Sequence, residues 1–323
     1  MAPIAVILGK NANVGIGEES TEGTAVSATR FARLVSLTLD DVVTRVRIPD
    51  LSVGSTGYTQ ARYIEQKSCR VTMEVIPYYE NGNTAMFMRM CIGGAWATTG
   101  AGPYTHTLEA GALSSWTCRF ERDVLSSTGA FQEGDVIAGF KVNDWSKSTD
   151  TNGVARLRIT GEAVSRTAGS APGHTLPAHD DPLLSHEADD WTWNSVAYCP
   201  RSMEISGTNG LLGLRCFGSS SISNQIVNDV RDIRVSVTRY KTNDAWIDAH
   251  IAGTSSDGET TWTSGTDTFT VRLYNAIILE PVSANINTIG VVEETAVFVG
   301  TDDGTDPVFE VVMVNGDATA EAS

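Results

Sequence analysis

The sequence contains little cysteine, and its cysteines are not arranged for cross-linking or metal binding. There are five, an odd number, and none is spaced as Cys-x-x-Cys. This arrangement indicates neither a disulfide framework nor a zinc site, and it fits a reducing compartment. Cys91 and Cys216 are better interpreted as small apolar residues of the core. The five are Cys69, Cys91, Cys118, Cys199 and Cys216.

Positive charge is also scarce. The 23 Lys and Arg residues are outnumbered by 39 Asp and Glu residues, which gives a formal net charge of −16. This balance argues against a basic face that binds nucleic acid. Two interpretations of the acidity remain open: general solubility, or a surface that repels nucleic acid.

Long apolar runs are absent from the sequence. No segment approaches the roughly 20 apolar residues that a membrane-spanning helix needs. The apolar start, residues 3–8, is too short for a signal peptide and has no basic lead-in. We therefore expect no membrane partner.

Motifs of catalysis and nucleotide binding are missing as well. The chain has no Gly-x-Ser-x-Gly elbow and no Walker loop. Gly15-Ile16-Gly17 resembles the start of a nucleotide loop, but Ser20 stands where the third glycine belongs. The seven tryptophans are more typical of β-protein cores than of a sugar-stacking platform. We expect no enzyme activity and no cofactor.

A group of histidines and acids is a candidate metal site by residue type. It lies in a stretch with Pro172, Pro177 and Pro182, and its spacing matches no ligand pattern held by a rigid frame. We therefore expect no metal site here. The group consists of His174, His179, His186, Asp180 and Asp181.

A strand followed by a short helix is the clearest local pattern in the chain. In residues 70–75, apolar Val71, Met73 and Val75 alternate with polar residues, which is the period of a half-buried strand. Residues 85–92 carry apolar side chains four apart, as on a helix, and Gly93 is a suitable helix stop.

The same pattern occurs again about half a chain length later. Arg234-Val235-Ser236-Val237-Thr238 has the phase of the first strand, 164 residues further on. Residues 243–253 form a second short helical stretch that begins at Asn243 and ends at Gly253. A repeat of this length indicates two copies of one domain.

Turn signals at regular spacing, without β-α alternation, predict a mainly β protein. The expected architecture is two tandem β-sandwich or β-barrel domains, each with one short flanking α-helix. The predicted divisions are an N-terminal arm at 1–34, a first β domain at 35–165, a Pro-rich acidic linker at 166–196, a second β domain at 197–300 and an acidic C-terminal extension at 301–323.

The connection between the second and third predicted strands is the candidate contact site. Residues 49–67 are far longer than the two to five residues that a hairpin usually needs. Apolar and aromatic anchors within a polar loop are typical of an interface that orders on contact. A flexible surface loop is the alternative. The anchors are Leu51, Val53, Tyr58, Tyr63 and Ile64.

Residues 15–25, with the pattern G-I-x-x-E-x-x-x-G-T-A, resemble the opening of tail tube proteins (major tail proteins) of long-tailed, siphovirus-type bacteriophages. The strand–helix–glycine unit at 70–94 and the turn and strand at 153–160 also resemble that family's core. The resemblance covers roughly residues 14–165, and the repeat carries it to residue 300.

The resemblance implies a tail-tube-type β-sandwich fold and a structural role in the virion. Members of the family assemble into stacked rings of six domains around a channel for DNA ejection. A duplicated chain then implies homotrimeric rings with pseudo-six-fold symmetry, and a chain without true duplication implies a hexamer. The implied partners are other copies of the chain, then the tape measure, tail terminator and distal tail proteins. DNA would pass without specific binding, and assembly would take place in the host cytoplasm.

The sequence leaves two other classes of function open. One is a β-sandwich module that binds carbohydrate or mediates adhesion, and the other is a β-rich hydrolase. For the tail tube class, the sequence further predicts that the long connection at 49–67 forms the contact between stacked rings, and that acidic residues line the channel.

Overall fold

A computed structural model describes residues 12–48, 61–79, 83–126, 129–150, 153–170, 182–184, 187–216, 221–288 and 291–320. The described chain is built almost entirely of antiparallel strands with two short helices, so the predicted mainly β class is confirmed. None of the helices in these ranges is long and apolar enough to span a bilayer.

The first half of the chain contains nine strands and one helix. They are β1 (Asn13–Glu18), β2 (Arg30–Ile48), β3 (Ala61–Val75), α1 (Asn83–Ile92), β4 (Ala97–Thr99), β5 (Tyr104–Glu109), β6 (Trp116–Ser126), β7 (Gly129–Asp150), β8 (Arg156–Ala163) and β9 (Ser165–Ser170).

The second half contains eleven strands and one helix. They are β10 (Trp191–Trp193), β11 (Val196–Tyr198), β12 (Ser202–Thr208), β13 (Leu211–Leu214), β14 (Asn224–Val227), β15 (Asp232–Tyr240), α2 (Ala245–Ala252), β16 (Ser255–Ser264), β17 (Asp267–Ile278), β18 (Ser283–Thr288), β19 (Val291–Val299) and β20 (Phe309–Asn315).

Both predicted strand–helix units are present. In β3 the alternating Val71, Met73 and Val75 are fully buried, as the period-2 pattern requires. Each helix ends at a glycine with positive φ, Gly93 at 71° and Gly253 at 64°. A left-handed residue at this position turns the chain out of the helix, and glycine adopts it without steric cost.

One continuous sheet, here named the long sheet, runs through the whole molecule. Its eight strands follow the order β2-β3-β8-β7-β12-β15-β19-β18, and every pairing is antiparallel. Side chains alternate between a buried face and an exposed polar face, as in β15, whose burial pattern is strictly alternating.

A second layer covers the buried face of the long sheet. In the first half it consists of β1, β6, β9 and the N-terminal part of β7, with the start of β2 at its edge. In the second half it consists of β11, β10, β16, β17 and β20, continued by β5 and β4 from the first half. Because β2 and β7 belong to both layers, the first half closes as a barrel.

Several pairings of the first half have a counterpart in the second, although β1 pairs with β2 whereas β10 pairs with β11. In the first, β3 lies between β2 and β8, and α1 follows β3; in the second, β15 lies between β12 and β19, and α2 follows β15. The counterparts are β1 and β10, β2 and β12, β3 and β15, α1 and α2, β6 and β16, β7 and β17 with β18, β8 and β19, and β9 and β20.

Three segments that composition describes as an arm, a linker and an extension contribute strands to the fold. The N-terminal region supplies β1, which lies between β2 and β6 and buries Val14 and Ile16 completely. The predicted linker contains β9 and β10, and within it Leu183 is buried and donates its N–H to the Pro77 carbonyl. The acidic C-terminal region supplies β20, a strand between β17 and β5.

The β2–β3 hairpin is longer than its sequence suggests. The two strands remain paired as far as Ile48 and Ala61, so the connection comprises residues 49–60 rather than 49–67. Tyr63 and Ile64 therefore belong to β3, where their backbones pair with Val46 and Arg45. Strand pairing was not predicted here because residues 61–67 lack period-2 alternation.

Candidate assembly surfaces

The two halves of the chain are joined through backbone pairing of β7 with β12. Seven consecutive residue pairs form this junction, from Asp144 with Thr208 to Asp150 with Ser202. Each half thus presents a strand edge to the other, and the long sheet continues across the boundary without a break.

Side chains on the buried side of the junction pack closely across it. Lys147 is almost completely buried, and its Nζ lies 3.0 Å from the ring centroid of Trp262 in the second half. Burial lowers the pKa of Lys147 well below its usual value, while the indole face stabilises the ammonium form. Beside it, a Cβ on Gly207 would lie 2.5 Å from Nε1 of Trp145, so only glycine fits against that ring.

The long sheet has an open edge at each end. Beyond Arg33, β2 pairs only with β3, and β18 pairs only with β19, within the described part of the chain. Val35 and Val42 of β2 are 43% and 40% exposed, and Leu279, just before β18, is 47% exposed. Unpaired strand edges are templates for pairing with another chain unless they are blocked.

A segment of the second half, residues 209–231, lies against the first half. We name it the covering insert; it contains the β13–β14 hairpin. The side-chain amide of Asn209 donates to the carbonyls of Cys91 (2.8 Å), at the end of α1, and Val142 (2.9 Å). Arg231 donates to the carbonyls of Ile92 and Gly111, each at 2.6 Å, and to Asn209 Oδ1 at 2.9 Å.

The far end of the covering insert is anchored as well. Gln225 is buried and donates from Nε2 to the Gly139 carbonyl at 2.7 Å. Lys141 donates from Nζ to the Gln225 carbonyl at 2.8 Å and to Glu22 Oε2 at 2.6 Å. Within the insert β13 pairs with β14, whereas the preceding strand β12 pairs with β15 and β7.

The N-terminal motif has a structural explanation. Glu19 is buried, and its Oε1 accepts from the Thr117 hydroxyl at 2.7 Å and from the Gly139 N–H at 2.9 Å. Its Oε2 accepts from the N–H of Gly23 at 2.8 Å, where φ is 80°. One carboxylate therefore fastens the motif loop to β6 and β7, which accounts for a glutamate followed four residues later by a glycine.

The exposed face of the long sheet is polar and carries more acid than base. Its ion pairs include Arg156 with Glu74 at 2.8 Å and Arg234 with Asp232 at 2.6 Å. The strand register and these contacts place acidic and basic residues side by side on this face. Acids on it include Asp40, Glu74, Asp144, Glu162, Glu204, Asp232 and Glu293, and bases include Arg70, Arg156, Arg158, Arg201 and Arg234.

The predicted contact residues are only partly visible. Leu51, Val53 and Tyr58 lie outside the described residues, and Tyr63 and Ile64 are described only as part of the backbone of β3. The histidine group, His174, His179 and His186 with Asp180 and Asp181, also lies outside them. Within the described ranges, no three His, Cys, Asp or Glu residues come together as a metal site.

The cysteines divide into two classes. Cys69, Cys91 and Cys118 are buried, as predicted for Cys91, and burial raises the pKa of all three thiols, that of Cys69 to about 11. Cys216 is exposed, so the prediction that it fills the core is wrong. It lies just after β13, outside the layered core.

A cavity of about 430 Å³ lies between the covering insert and the exposed face of the long sheet. Its walls are mainly polar, with Arg70, Asp144 and Glu162 among them, and its described lining contains no aromatic ring. Five tryptophans, at 116, 191, 193, 246 and 262, are essentially fully buried. Neither this cavity nor these five tryptophans provide an exposed stacking surface for a sugar.

Comparison with known proteins identifies the family of the chain. A search of curated proteins finds no match. The family model described as "Phage tail tube protein" matches residues 9–317, which is nearly the whole chain. The match spans both halves, the covering insert and β20, and the chain therefore belongs to the phage tail tube protein family.

Proposed function

We propose that three copies of this protein close into a ring by pairing β18 of one copy with β2 of the next. Stacked rings then form the tail tube, the channel through which DNA leaves the virion, and the protein is structural and not an enzyme. The observation that carries the proposal is the open edge at each end of the long sheet, together with the β7–β12 junction inside it.

The internal junction predicts the register of the pairing between copies. Matching each strand to its counterpart places Ser283 where Ser146 lies and Asp40 where Ser206 lies. Ser146 pairs with Ser206 at the internal junction. Ser283 of one copy is therefore expected to pair with Asp40 of the next.

The number of copies follows from the duplication. Each chain contributes two similar units and eight strands of the long sheet, so three chains supply six units and 24 strands. A head-to-tail interface makes a closed ring when its rotation divides a full turn. The proposed ring has three-fold symmetry, because the covering insert and the β4–β5 hairpin each occur in only one half.

The exposed polar face of the long sheet is assigned to the channel. A channel that conducts DNA must not hold phosphates, since each neutralising Lys or Arg adds salt-dependent affinity. Acids of this face that do not line the cavity below the covering insert support the assignment, namely Asp40, Glu74, Glu204, Asp232 and Glu293. The arginines are partly neutralised by neighbouring acids. DNA then passes without specific binding.

Stacking of one ring on the next is assigned to the tip of the β2–β3 hairpin. Sheet hydrogen bonds run around the ring, so they provide no contact along its axis. β2 has 19 residues, a length of roughly 60 Å at about 3.3 Å per residue, and its distal part has only β3 as a described partner. The connection 49–60 carries Leu51, Val53 and Tyr58 as apolar anchors. Tape measure, terminator and distal tail proteins are the expected partners at the ends of the tube.

A cysteine pair tests the register between copies. In a background with Cys199 and Cys216 changed to Ser, Asp40→Cys with Ser283→Cys should form disulfide-linked dimers and closed trimers when rings assemble. The matched control, Asp40→Cys with Asn285→Cys, is two residues out of register and should link poorly. Equal linking of both pairs, or none in assembled rings, would contradict the proposed edge pairing.

A second variant tests the stacking assignment. Replacing residues 49–60 with a two-residue turn should leave a folded subunit that forms rings but no tubes, as seen by electron microscopy. Full-length tubes from this variant would show that the hairpin tip is not the axial contact.

A further inference from the structure

The two helices of the repeat differ sharply in how far they are covered. Nine of the ten residues of α1 are buried, whereas only Trp246 is buried among the eight residues of α2. Ile251, at the C-terminal end of α2, is 78% exposed, and Leu279, which follows the end of β17, is 47% exposed. His250 Nδ1 lies 2.8 Å from the Ile278 carbonyl oxygen. Ile251 and Leu279 each follow one partner of this contact in sequence.

The covering insert accounts for part of this difference. It contacts the C-terminal carbonyls of α1 through Asn209 and Arg231, and it contacts β7 at Val142. The counterparts of Cys91 and Ile92 in the second half are Ile251 and Ala252. No described residue outside the helix donates a hydrogen bond to the carbonyls of Ile251 and Ala252.

The position of the insert in the chain identifies what covers α2. The insert connects β12 to β15, and the counterpart of that connection in the first half is the distal β2–β3 hairpin. The insert of the second half lies on the first half of the same chain. The hairpin of the first half touches its own chain where Lys67 forms a β-bridge with Ser221 of the insert. The position on a second half that corresponds to the place of the insert is offered to it by another copy.

We propose that the exposed face of α2, formed by Ile251 with Leu279 and the carbonyls of Ile251 and Ala252, binds the base of the β2–β3 hairpin of a second copy in the same ring. This inference rests on the proposed function, because it requires the β18–β2 pairing that brings the two copies together. The hairpin tip remains free for the contact along the tube axis.

Charge supports the hairpin as the occupant. Lys67 is the counterpart of Arg231, since each residue lies immediately before the matched segments that start at Ser68 and Asp232. Lys67 is exposed, and the C-terminal end of a helix attracts cations. Asp248 on α2 is exposed and can meet this charge, whereas Asp244 already pairs with Lys241 and Glu280 with Arg234.

Substitution on α2 tests the site in the full-length chain. Ile251→Asp should leave the monomer folded, because the side chain is largely exposed, and should raise the concentration needed for ring formation by at least about tenfold, since it buries a charge in the interface. Lys67→Glu should also raise this concentration, because it places a negative charge near the negative C-terminal end of α2. The matched control is Val230→Asp, at a residue that is 80% exposed on the covering insert, and it should assemble normally.

Hydrogen exchange supplies a readout that does not depend on any substitution. Amides of residues 245–254 in the wild-type chain should exchange much more slowly in rings than in the monomer. Rings in which α2 exchanges as fast as in the monomer, or Ile251→Asp rings that form at the wild-type concentration, would overturn this inference while leaving the proposed function intact. A wild-type chain that forms no rings would instead overturn the proposed function.

Discussion

Arg239 and Glu294 form a buried ion pair between β15 and β19, with Nη2 and Oε1 2.6 Å apart. The guanidinium also lies 4.0 Å from the ring centroid of Trp246 on α2. The same two positions in the first half are occupied by Val75 and Leu157, which are paired and buried. The two halves thus place an ion pair and an apolar pair at corresponding positions.

The apolar pair at the corresponding positions of the first half shows which variants can test the ion pair. Glu294→Leu alone should destabilise the protein by about 3–5 kcal/mol, because it leaves Arg239 buried without its partner. Arg239→Val with Glu294→Leu copies the first half and should recover most of that loss. Urea unfolding of the three proteins measures both effects. A double variant as unstable as the single one would show that the two halves do not share an equivalent packing site.

Glu19 is expected to be the strongest single contributor within the N-terminal motif. Glu19→Ala leaves the buried Thr117 hydroxyl and two backbone N–H groups without their acceptor and should cost about 2–4 kcal/mol of unfolding free energy. Glu109→Ala, at an exposed position of β5, serves as the control and should change stability by less than about 0.5 kcal/mol. Equal effects of the two substitutions would refute this role.

Thiol reactivity should follow burial. Near neutral pH, a thiol reagent should modify two of the five cysteines of the native monomer rapidly, Cys199 and Cys216, because both are exposed. The other three are shielded, and their raised pKa values keep them in the unreactive thiol form. All five should react in urea. Rapid labelling of Cys91 in the folded chain would contradict the described core.

Lys147 should make stability depend on pH on the alkaline side. Its pKa in the folded chain is lowered by burial, so the unfolded chain binds more protons as the pH approaches 10.5 from below, and stability rises with pH there. Lys147→Met should stabilise the protein by about 1 kcal/mol or more at neutral pH, and less near pH 10.5. Urea midpoints at the two pH values measure this. A less stable variant at neutral pH would mean that the contact with Trp262 outweighs burial.

Local patterns were sufficient to predict much of the fold. The alternation in residues 70–75 and the glycines after both helices predicted β3, α1 and α2, because these signals depend on residues close in sequence. The two tandem domains inferred from the offset between Arg70 and Arg234 stay a prediction. The buried Trp residues likewise follow the expectation for a β-rich core.

Features that depend on distant residues were not visible in the sequence. β20 and β9 are strands because β17 and β7 offer them an edge, and composition alone predicted only an acidic extension and a linker there. The covering insert has a strong turn signal, Asn209-Gly210, but its hydrogen bonds go to α1 and β7 and not to a local hairpin. The open edges of β2 and β18 become recognisable only when all pairings are known.

The number of chains in one ring tests the central claim most directly. Mass photometry of the smallest assembled ring, together with the rotational symmetry of end-on views by electron microscopy, measures that number. The β18–β2 pairing of duplicated chains predicts three chains, about 104 kDa from three times 34.5 kDa, and three-fold symmetry. Rings of six chains, with twice that mass and true six-fold symmetry, would contradict it.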